Sequence, residues 1–412
     1  MRTLTRVFVV GALFTVACGP SKRRMGDDDE LFPDASIDAP CPTSVSGKVF
    51  APNGTLPLYN VTVYVPMSPP GPLPEGLSCG QCSTNLPGGA VASARTDAEG
   101  KFKLEGLSPG TDVPIVITTG KWRRQLTVPV VAQCVDNPVQ DGVLRLPKNR
   151  TEGDIPKIAM VTGGCDPLGC ILAKLGLDAT EFSSNPADPH RVIFYTGNGG
   201  QAPGSPQAAP TALWNNLNEL KKYDMLINSC ECNEYNDNKT APDTLRQYAD
   251  MGGRVFGSHY HYTWARSLVP QWNPTAQWTG SGTGYTTPDL VDTTHPDGMA
   301  FSQWLTSVGA SPTPGQITLG TKTYDVGGVN PPTTRWLYSS GTNARTHYLS
   351  FKTPVGVPME QQCGKVVYAG MHVASGSVSS TFPSGCTGAL TPDEKALVFL
   401  LFDLGSCVDV IF

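Results

Sequence analysis

The stretch YDMLINSCECNEYNDNKTAPDTLRQYADMGGRVFGSHY, Tyr223 to Tyr260, reads as strand, polar loop, helix and strand in succession. YDMLINSC is the first strand, APDTLRQYADMGG the helix, and RVFGSHY the strand that follows it. The same order appears upstream. KIAMVTGG (Lys157–Gly164) is a continuous apolar run before the helical CILAKLG (Cys170–Gly176), and RVIFYTGNGG (Arg191–Gly200) precedes a helix over PTALWNNLNELKKY (Pro210–Tyr223). Apolar runs alternating with helices call for a parallel sheet covered on both faces. GKVVYAGMHV (Gly364–Val373) is the last strand, and TPDEKALVFLLFDL (Thr391–Leu404) closes the pattern as a helix, with Thr391 and Glu394 at capping-box spacing. Residues from about 265 to 362 interrupt the alternation as an insertion. It holds one helix near PDGMAFSQWLTSVG and short Thr- and Gly-rich strands such as QITLGTKTYDV and RWLYSS.

Ahead of this region the texture is different. Between Ser44 and about Leu146, apolar and polar residues alternate in the short runs SVSGKVFA, NVTVYVP, GKFKLEGL, VPIVITTG, RRQLTVPVV and GVLRLP. Period two with turn residues between the runs predicts an antiparallel β-sandwich. The fold class expected for the whole chain is therefore multidomain: an N-terminal antiparallel sandwich, residues 41–150, and a C-terminal α/β unit with a parallel sheet, residues 151–412.

The chain begins MRTLTRVFVVGALFTVACGP, two arginines, an apolar run too short to span a bilayer, and small residues before Cys18. That is the layout of a secretory signal over residues 1–17. TVAC resembles the bacterial lipobox, which implies a diacylglyceryl group on Cys18 and membrane attachment through it. Residues 18–40 are charged, rich in Pro, Asp and Ser, and read as a tether. The expected address is the cell envelope, at the outer membrane or cell surface. A net charge of -5 and a charged fraction of 16% argue against nucleic acid as a partner.

Twelve cysteines fit an oxidising compartment, where they form disulfides. With Cys18 set aside eleven remain, an odd number, so at least one lacks a partner within the chain. CGQC, Cys79 to Cys82, lies in a loop rather than at a strand-to-helix junction, which favours structural cystine over a redox pair.

Two resemblances sharpen the domain reading. VSGKVFAPNGTLPLYNVTVYVP followed by ARTDAEGKFKLEGLSPGTDVPIVI, with the TDAEG turn at Thr96–Gly100, resembles the carboxypeptidase regulatory-like (transthyretin-like) domains. That likeness implies a spacer or binding sandwich and no catalytic residues. YDMLINSCE, YADMGGRVFGSHY, THPDGMA and GKVVYAGMH, in that order, resemble the ThuA-like branch of the class I glutamine amidotransferase-like, flavodoxin-like proteins. In the flavodoxin-like order the first and third strands are neighbours. Their loops carry two cysteines each, so the expectation is Cys170 bonded to Cys230 and Cys165 to Cys232, with the odd thiol among Cys363, Cys386 and Cys407.

In open parallel sheets ligands bind beyond the carboxyl ends of the strands, where strand order reverses. The sequence places Cys165, Cys170, Gly199, Gly200, Cys230, Glu231, His259, His261 and His372 there. Four readings compete. In the first, an acyl-transfer enzyme uses Cys230 as nucleophile and His259 or His372 as base. In the second, a divalent metal is the cofactor, held by His259 and His261 from one face of a strand, joined by His295 and His372, with Glu231 as an oxygen ligand. In the third, a carbohydrate or other small polar ligand is bound by Tyr260, Tyr262, Trp264, Glu231, His259 and His261, aromatic faces beside directional hydrogen-bonding groups. In the fourth, the histidines are the polar end of a buried strand and the crest is inert. The third is the favoured reading; a hydrolase or metal-dependent enzyme with His259, His372 and Glu231 as catalytic candidates is its alternative.

Overall fold

The computed structural model describes residues 41–82, 85–280, 288–341, 343–373, 378–379 and 381–408; the leader, Cys18 and the tether lie outside them. Cys41–Phe412 forms one compact unit, β-rich, with several sheets and few helices.

The sandwich contains β1 (Ser44–Lys48), β2 (Thr62–Val65), β3 (Ala92–Arg95), β4 (Lys101–Glu105), β5 (Gly110–Thr119), β6 (Trp122–Val131) and β7 (Asp136–Pro138). Its sheets run β4-β1-β7 and β3-β2-β5-β6. Inward residues such as Val45, Val63, Phe102, Leu104, Ile115 and Ile117 fill the core, as the alternating pattern requires. Thr96–Gly100 turns the chain between β3 and β4. Asp97 Oδ1 accepts N–H bonds from Glu99 and Lys101, and Gly100 sits at φ +75° where a Cβ would press on Pro57 and the Val49 carbonyl. GVLRLP forms an isolated bridge at Arg145 rather than a strand, although Leu144 and Leu146 are buried.

After the sandwich come β8 (Ile158–Thr162), α1 (Gly169–Lys174), β9 (Phe182–Ser183), β10 (Val192–Thr196), α2 (Thr211–Trp214), α3 (Leu217–Leu220), β11 (Met225–Asn228), α4 (Pro242–Asp250) and β12 (Arg254–Ser258). The helix expected over Pro210–Tyr223 is two four-residue pieces. The side chain of Asn216 accepts from the N–H groups of Asn218 and Glu219 and so starts a new helix where the first ends. The later strands are β13 (Ala276–Trp278), β14 (Asp289–Val291), β15 (Gln316–Ile317), β16 (Thr321–Lys322), β17 (Val326–Val329), β18 (Thr334–Tyr338), β19 (Thr346–Thr353), β20 (Gly364–Ala369) and β21 (Met371–His372), with helices α5 (Pro296–Ser307) and α6 (Pro392–Gly405).

One ten-stranded sheet has the order β15-β14-β18-β19-β20-β12-β11-β8-β10-β9. From β20 to β9 every neighbouring pair is parallel. From β20 outward through β19, β18, β14 and β15 every pair is antiparallel. The segment expected to interrupt the α/β pattern therefore extends the sheet by four strands. Beyond β8 the order reverses, because the next parallel strands lie on opposite sides of it.

α6 explains why the two textures form one unit. Thr391 and Glu394 make a complete capping box, and Ala396–Phe402 are buried on all sides. Phe399 stacks on Tyr59 and Phe402 packs on Trp122, both from the sandwich. Trp122, at the start of β6, is accordingly buried, and Arg123 beside it bonds Asp154 at 2.8 Å.

Five cystines, Cys41–Cys134, Cys79–Cys363, Cys82–Cys407, Cys165–Cys232 and Cys170–Cys386, mark an extracytoplasmic protein. The CGQC cysteines bond to the α/β region and not to each other. Cys230 is the one unpaired cysteine among the described residues. This corrects two expectations. Cys170 sits on α1 and reaches Cys386 rather than Cys230, and Cys363, Cys386 and Cys407 are all paired. No helix of the described residues is long and apolar enough to cross a membrane.

Candidate functional site

The carboxyl ends of β8, β11, β12 and β20 open on one side of the sheet, and the turn between β16 and β17 reaches the same place. Cys230 follows β11 by two residues and is fully buried. His259 follows β12 directly, at φ +35°, a backbone conformation rare for a non-glycine residue and typical of functional turns. His372 ends β21. One ligand atom from each of Cys230, His259 and His372 lies within 4.8 Å of the others.

Two buried carboxylates surround the trio. His372 Nδ1 donates to Asp166 Oδ1 at 3.1 Å, and Ser258 Oγ donates to Asp166 Oδ2 at 2.8 Å. His259 has Nδ1 3.5 Å from Cys230 Sγ and Nε2 3.9 Å from Asp325 Oδ1. That Nε2 and that Oδ1 have no hydrogen-bond partner among the described residues. Asp325 is fixed by Tyr368, whose hydroxyl donates to Oδ2 at 2.5 Å, and by Thr323. The Cys232 N–H points at the Cys230 sulfur at 3.4 Å.

These contacts set the charge states. Burial, then the Asp166 charge, pushes the Cys230 thiol up to about 12. Burial, with His372 alongside, lowers His259 to about 3, so its ring is neutral. Burial pulls His372 down, yet the Asp166 hydrogen bond and charge hold it above the ordinary histidine value. Asp325 is raised by burial.

The other residues singled out in the sequence stand elsewhere. His259 and His261 do not share a strand face. β12 ends at Ser258, and His259–Tyr262 is a 3₁₀ turn, in which residues two apart point about 240° apart. His261 donates from Nε2 to the Ser229 carbonyl at 2.9 Å, packs on Trp214, and is lowered to about 3 by burial. Glu231 accepts from Asn198 N–H and Nδ2 at 2.9 and 2.8 Å, and its second oxygen is 3.8 Å from Lys239 Nζ and 4.0 Å from His261 Nε2. It belongs to that neighbouring buried cluster and is not a member of the Cys230 trio. His295 caps α5, Nδ1 accepting from Gly298 N–H and Nε2 donating to the Arg335 carbonyl, so it is not a metal ligand beside His259. Trp264 is buried between Trp214 and Lys239 and offers no open face to a sugar. Tyr262 is buried too, its hydroxyl donating to Glu234, so Tyr260, half-buried against the His259 ring, is the one of the three proposed aromatics within reach. His347 is fully buried beside Asp289.

Asp166 and Asp325 escaped the sequence reading. Asp166 had a usable signal, an acid directly after the β8 loop in GGCDPLGC; Asp325 sits in the insertion with none.

A crevice of about 210 Å³ opens beside this centre at the point of strand reversal, lined by Gly163, Gly164, Asp166, Gly199, Gly200 and Gln201. Its glycines are there because the loops touch: a Cβ on Gly200 would collide with Thr162 and the Gly163 backbone. The TGNGG segment is a turn closed by Gly200 N–H to the Gly197 carbonyl at 3.0 Å. Its Asn198 N–H is already given to Glu231.

No protein-family profile and no curated protein matches the chain. Solved structures that match include two type II cohesin–X-dockerin complexes from Acetivibrio cellulolyticus. One is the C-terminal interface mutant Coh3ScaB-XDoc_M2ScaA, with 17% identity over 36% of this chain and 78% of that one, at a TM-score of 0.17. The other is the N-terminal interface mutant Coh3ScaB-XDoc_M1ScaA, with 16% identity, the same coverage and a TM-score of 0.18. Likeness at that level fixes neither fold nor function.

Proposed function

We propose that this is an exported cell-envelope protein, lipid-anchored through Cys18 at the outer membrane or cell surface, that binds a small polar ligand, carbohydrate in class, at the crest of its α/β domain. On this reading the sandwich is of the carboxypeptidase regulatory-like, transthyretin-like kind, and the α/β domain is flavodoxin-like, in the ThuA-like branch of the amidotransferase-like proteins. The parallel order β10-β8-β11-β12-β20 supports it, being the 2-1-3-4-5 order once the two-residue β9 is set aside. The observation that carries the binding reading is the crevice at the strand reversal, with polar walls and Asp166 in its lining.

The test is a thermal-shift titration of the full chain with neutral mono- and disaccharides. A ligand at a hundred times its Kd adds about 2.7 kcal/mol of stability, and Gln201→Ala should weaken the response. A panel with no saturable shift removes the reading. Detergent-phase partitioning tests the anchor separately: Cys18→Ser should move the protein to the aqueous phase, and unchanged partitioning rejects lipidation.

The contact between Cys230 and His259, with Asp325 beyond, favours a second reading as a thiol hydrolase. Reactive thiols occupy electropositive, partly exposed sites. Cys230 is buried between two carboxylates, which makes this the lesser reading.

A further inference from the structure

We propose that Cys230, His259 and His372 hold a divalent transition-metal ion of borderline softness, zinc foremost, in a buried Cys–His–His site beside the ligand crevice, whose lining includes none of the three.

The geometry begins with one distance. Zinc bonds of about 2.3 Å to sulfur and about 2.05 Å to nitrogen place the two ligand atoms about 3.6 Å apart in a tetrahedron. Cys230 Sγ and His259 Nδ1 are 3.5 Å apart. The trio as a whole, within 4.8 Å, is looser than a loaded tetrahedron and would tighten on binding.

The orientation of both imidazoles is the second argument. Each turns one ring nitrogen outward to a buried aspartate, His372 Nδ1 to Asp166 and His259 Nε2 toward Asp325. That leaves the opposite nitrogen of each ring for a ligand. Metal-bound histidines are fixed in this way, the outer carboxylate setting the tautomer and raising the basicity of the ligating nitrogen.

Charge is the third. Asp166 and Asp325 are each 1% exposed, and neither has a lysine or arginine within 4.0 Å among the described residues. A nearby cation stabilises a buried carboxylate, and Asp325 Oδ1 and His259 Nε2 both lack a hydrogen-bond partner among the described residues. A cation on the sulfur–imidazole side supplies that charge, and the thiol proton leaves to solvent as the sulfur–metal bond forms. The Cys232 N–H directed at the sulfur suits a thiolate. His372, 16% exposed at its side chain, leaves a way in.

The site is tested on the full chain, stripped by chelator dialysis and titrated with Co²⁺, then with Zn²⁺ against a chromophoric chelator. One equivalent of Co²⁺ should bind and produce a near-ultraviolet sulfur-to-cobalt charge-transfer band. Cys230→Ser should abolish the band and weaken Zn²⁺ at least a hundredfold. His372→Gln should weaken Zn²⁺ while retaining the band, and Asp166→Asn should do so by about 10–100-fold. His190→Ala, remote from the trio, should change nothing. Circular dichroism and melting temperature certify that each variant is folded. The proposal is overturned if the folded chain takes up no stoichiometric metal, or if Cys230→Ser binds as tightly as the parent. It is equally overturned if Cys230 of the stripped chain alkylates rapidly and turns over a p-nitrophenyl ester in a Cys230-dependent way, which makes it a nucleophile. A negative sugar titration with a positive cobalt band would reject the ligand reading alone.

Discussion

Replacing Cys165 and Cys232 together by serine should lower the melting temperature of the oxidised protein by about 5 to 6 °C. The bridge spans 67 residues. Of the other cystines among the described residues only Cys170–Cys386 touches that loop, and it returns to the chain beyond Cys232, so it offers no shorter path. In the chain-entropy treatment a loop of this length restricts the unfolded chain by about 4.4 kcal/mol at 25 °C. The folded side should change little, because backbone bonds already hold the crest: Cys165 N–H to the Cys230 carbonyl and Gly164 N–H to the Asn198 carbonyl, both at 3.1 Å. With an unfolding entropy of about 2.1 cal/mol/K per residue over the roughly 370 residues of the folded unit, 4.4 kcal/mol becomes the stated shift. Replacing both cysteines leaves Cys230 no new thiol to exchange with. Calorimetry without reductant gives the melting temperature, and urea unfolding should show a larger m-value, since the variant unfolds to a more open chain. A drop below 1 °C with an unchanged m-value would refute the argument, showing that the bridge does not restrict the unfolded ensemble as its span implies.

Lys174→Met should cost about 3–5 kcal/mol in urea unfolding, because it strips the cation from Glu394, whose pairing at 2.9 Å has both side chains 2% exposed; adding Glu394→Gln should recover part of the loss, and no recovery would mean that packing rather than charge is responsible. Glu152 should shape the acid limb. Its hydrogen bonds from Arg145, at 2.6 and 2.7 Å, lower it to about 2. A depressed carboxylate contributes stability that is complete above its unfolded value near 4.5 and is lost as pH falls through about 2. Glu152→Gln should therefore flatten the stability profile between roughly pH 4.5 and 2 and leave its slope above pH 6 alone, as read by melting temperature across that range.

The parallel strands were legible because strands buried on both faces must be continuously apolar, and Ile158–Val161, Val192–Tyr195, Met225–Ile227 and Val366–Ala369 are. The strands β14, β15, β18 and β19 were not. They are antiparallel additions of two to eight residues whose partners lie up to about fifty residues away, so nothing local marks them as part of the same sheet. The broken helix over Pro210–Tyr223 carries its reason in Asn215–Asn216, since asparagine competes for backbone N–H groups and favours a cap over a helix interior.

At the crest the same division applies to single residues. Cys230, His259 and His372 could be placed because each stands within a few residues of a strand's carboxyl end, and strand ends are fixed by the apolar runs. Which way each side chain turns depends on the residue after the strand, and there the reading failed for His261. A strand continuing through His261 would have put His259 and His261 on one face, whereas stopping it at Ser258, with His259 at φ +35°, sends His259 to Cys230 and His261 to Ser229. The same sensitivity separates the two cysteines after β8. Cys165 lies in the loop itself, beside the end of β11, and so finds Cys232. Cys170 is five residues on, carried away on α1, and finds Cys386. That one turn of helix is what leaves Cys230 without a disulfide partner among the described residues, and a thiol so left, between two imidazoles and two buried carboxylates, acquires its chemistry from tertiary neighbours up to 142 positions distant in sequence rather than from any motif of its own.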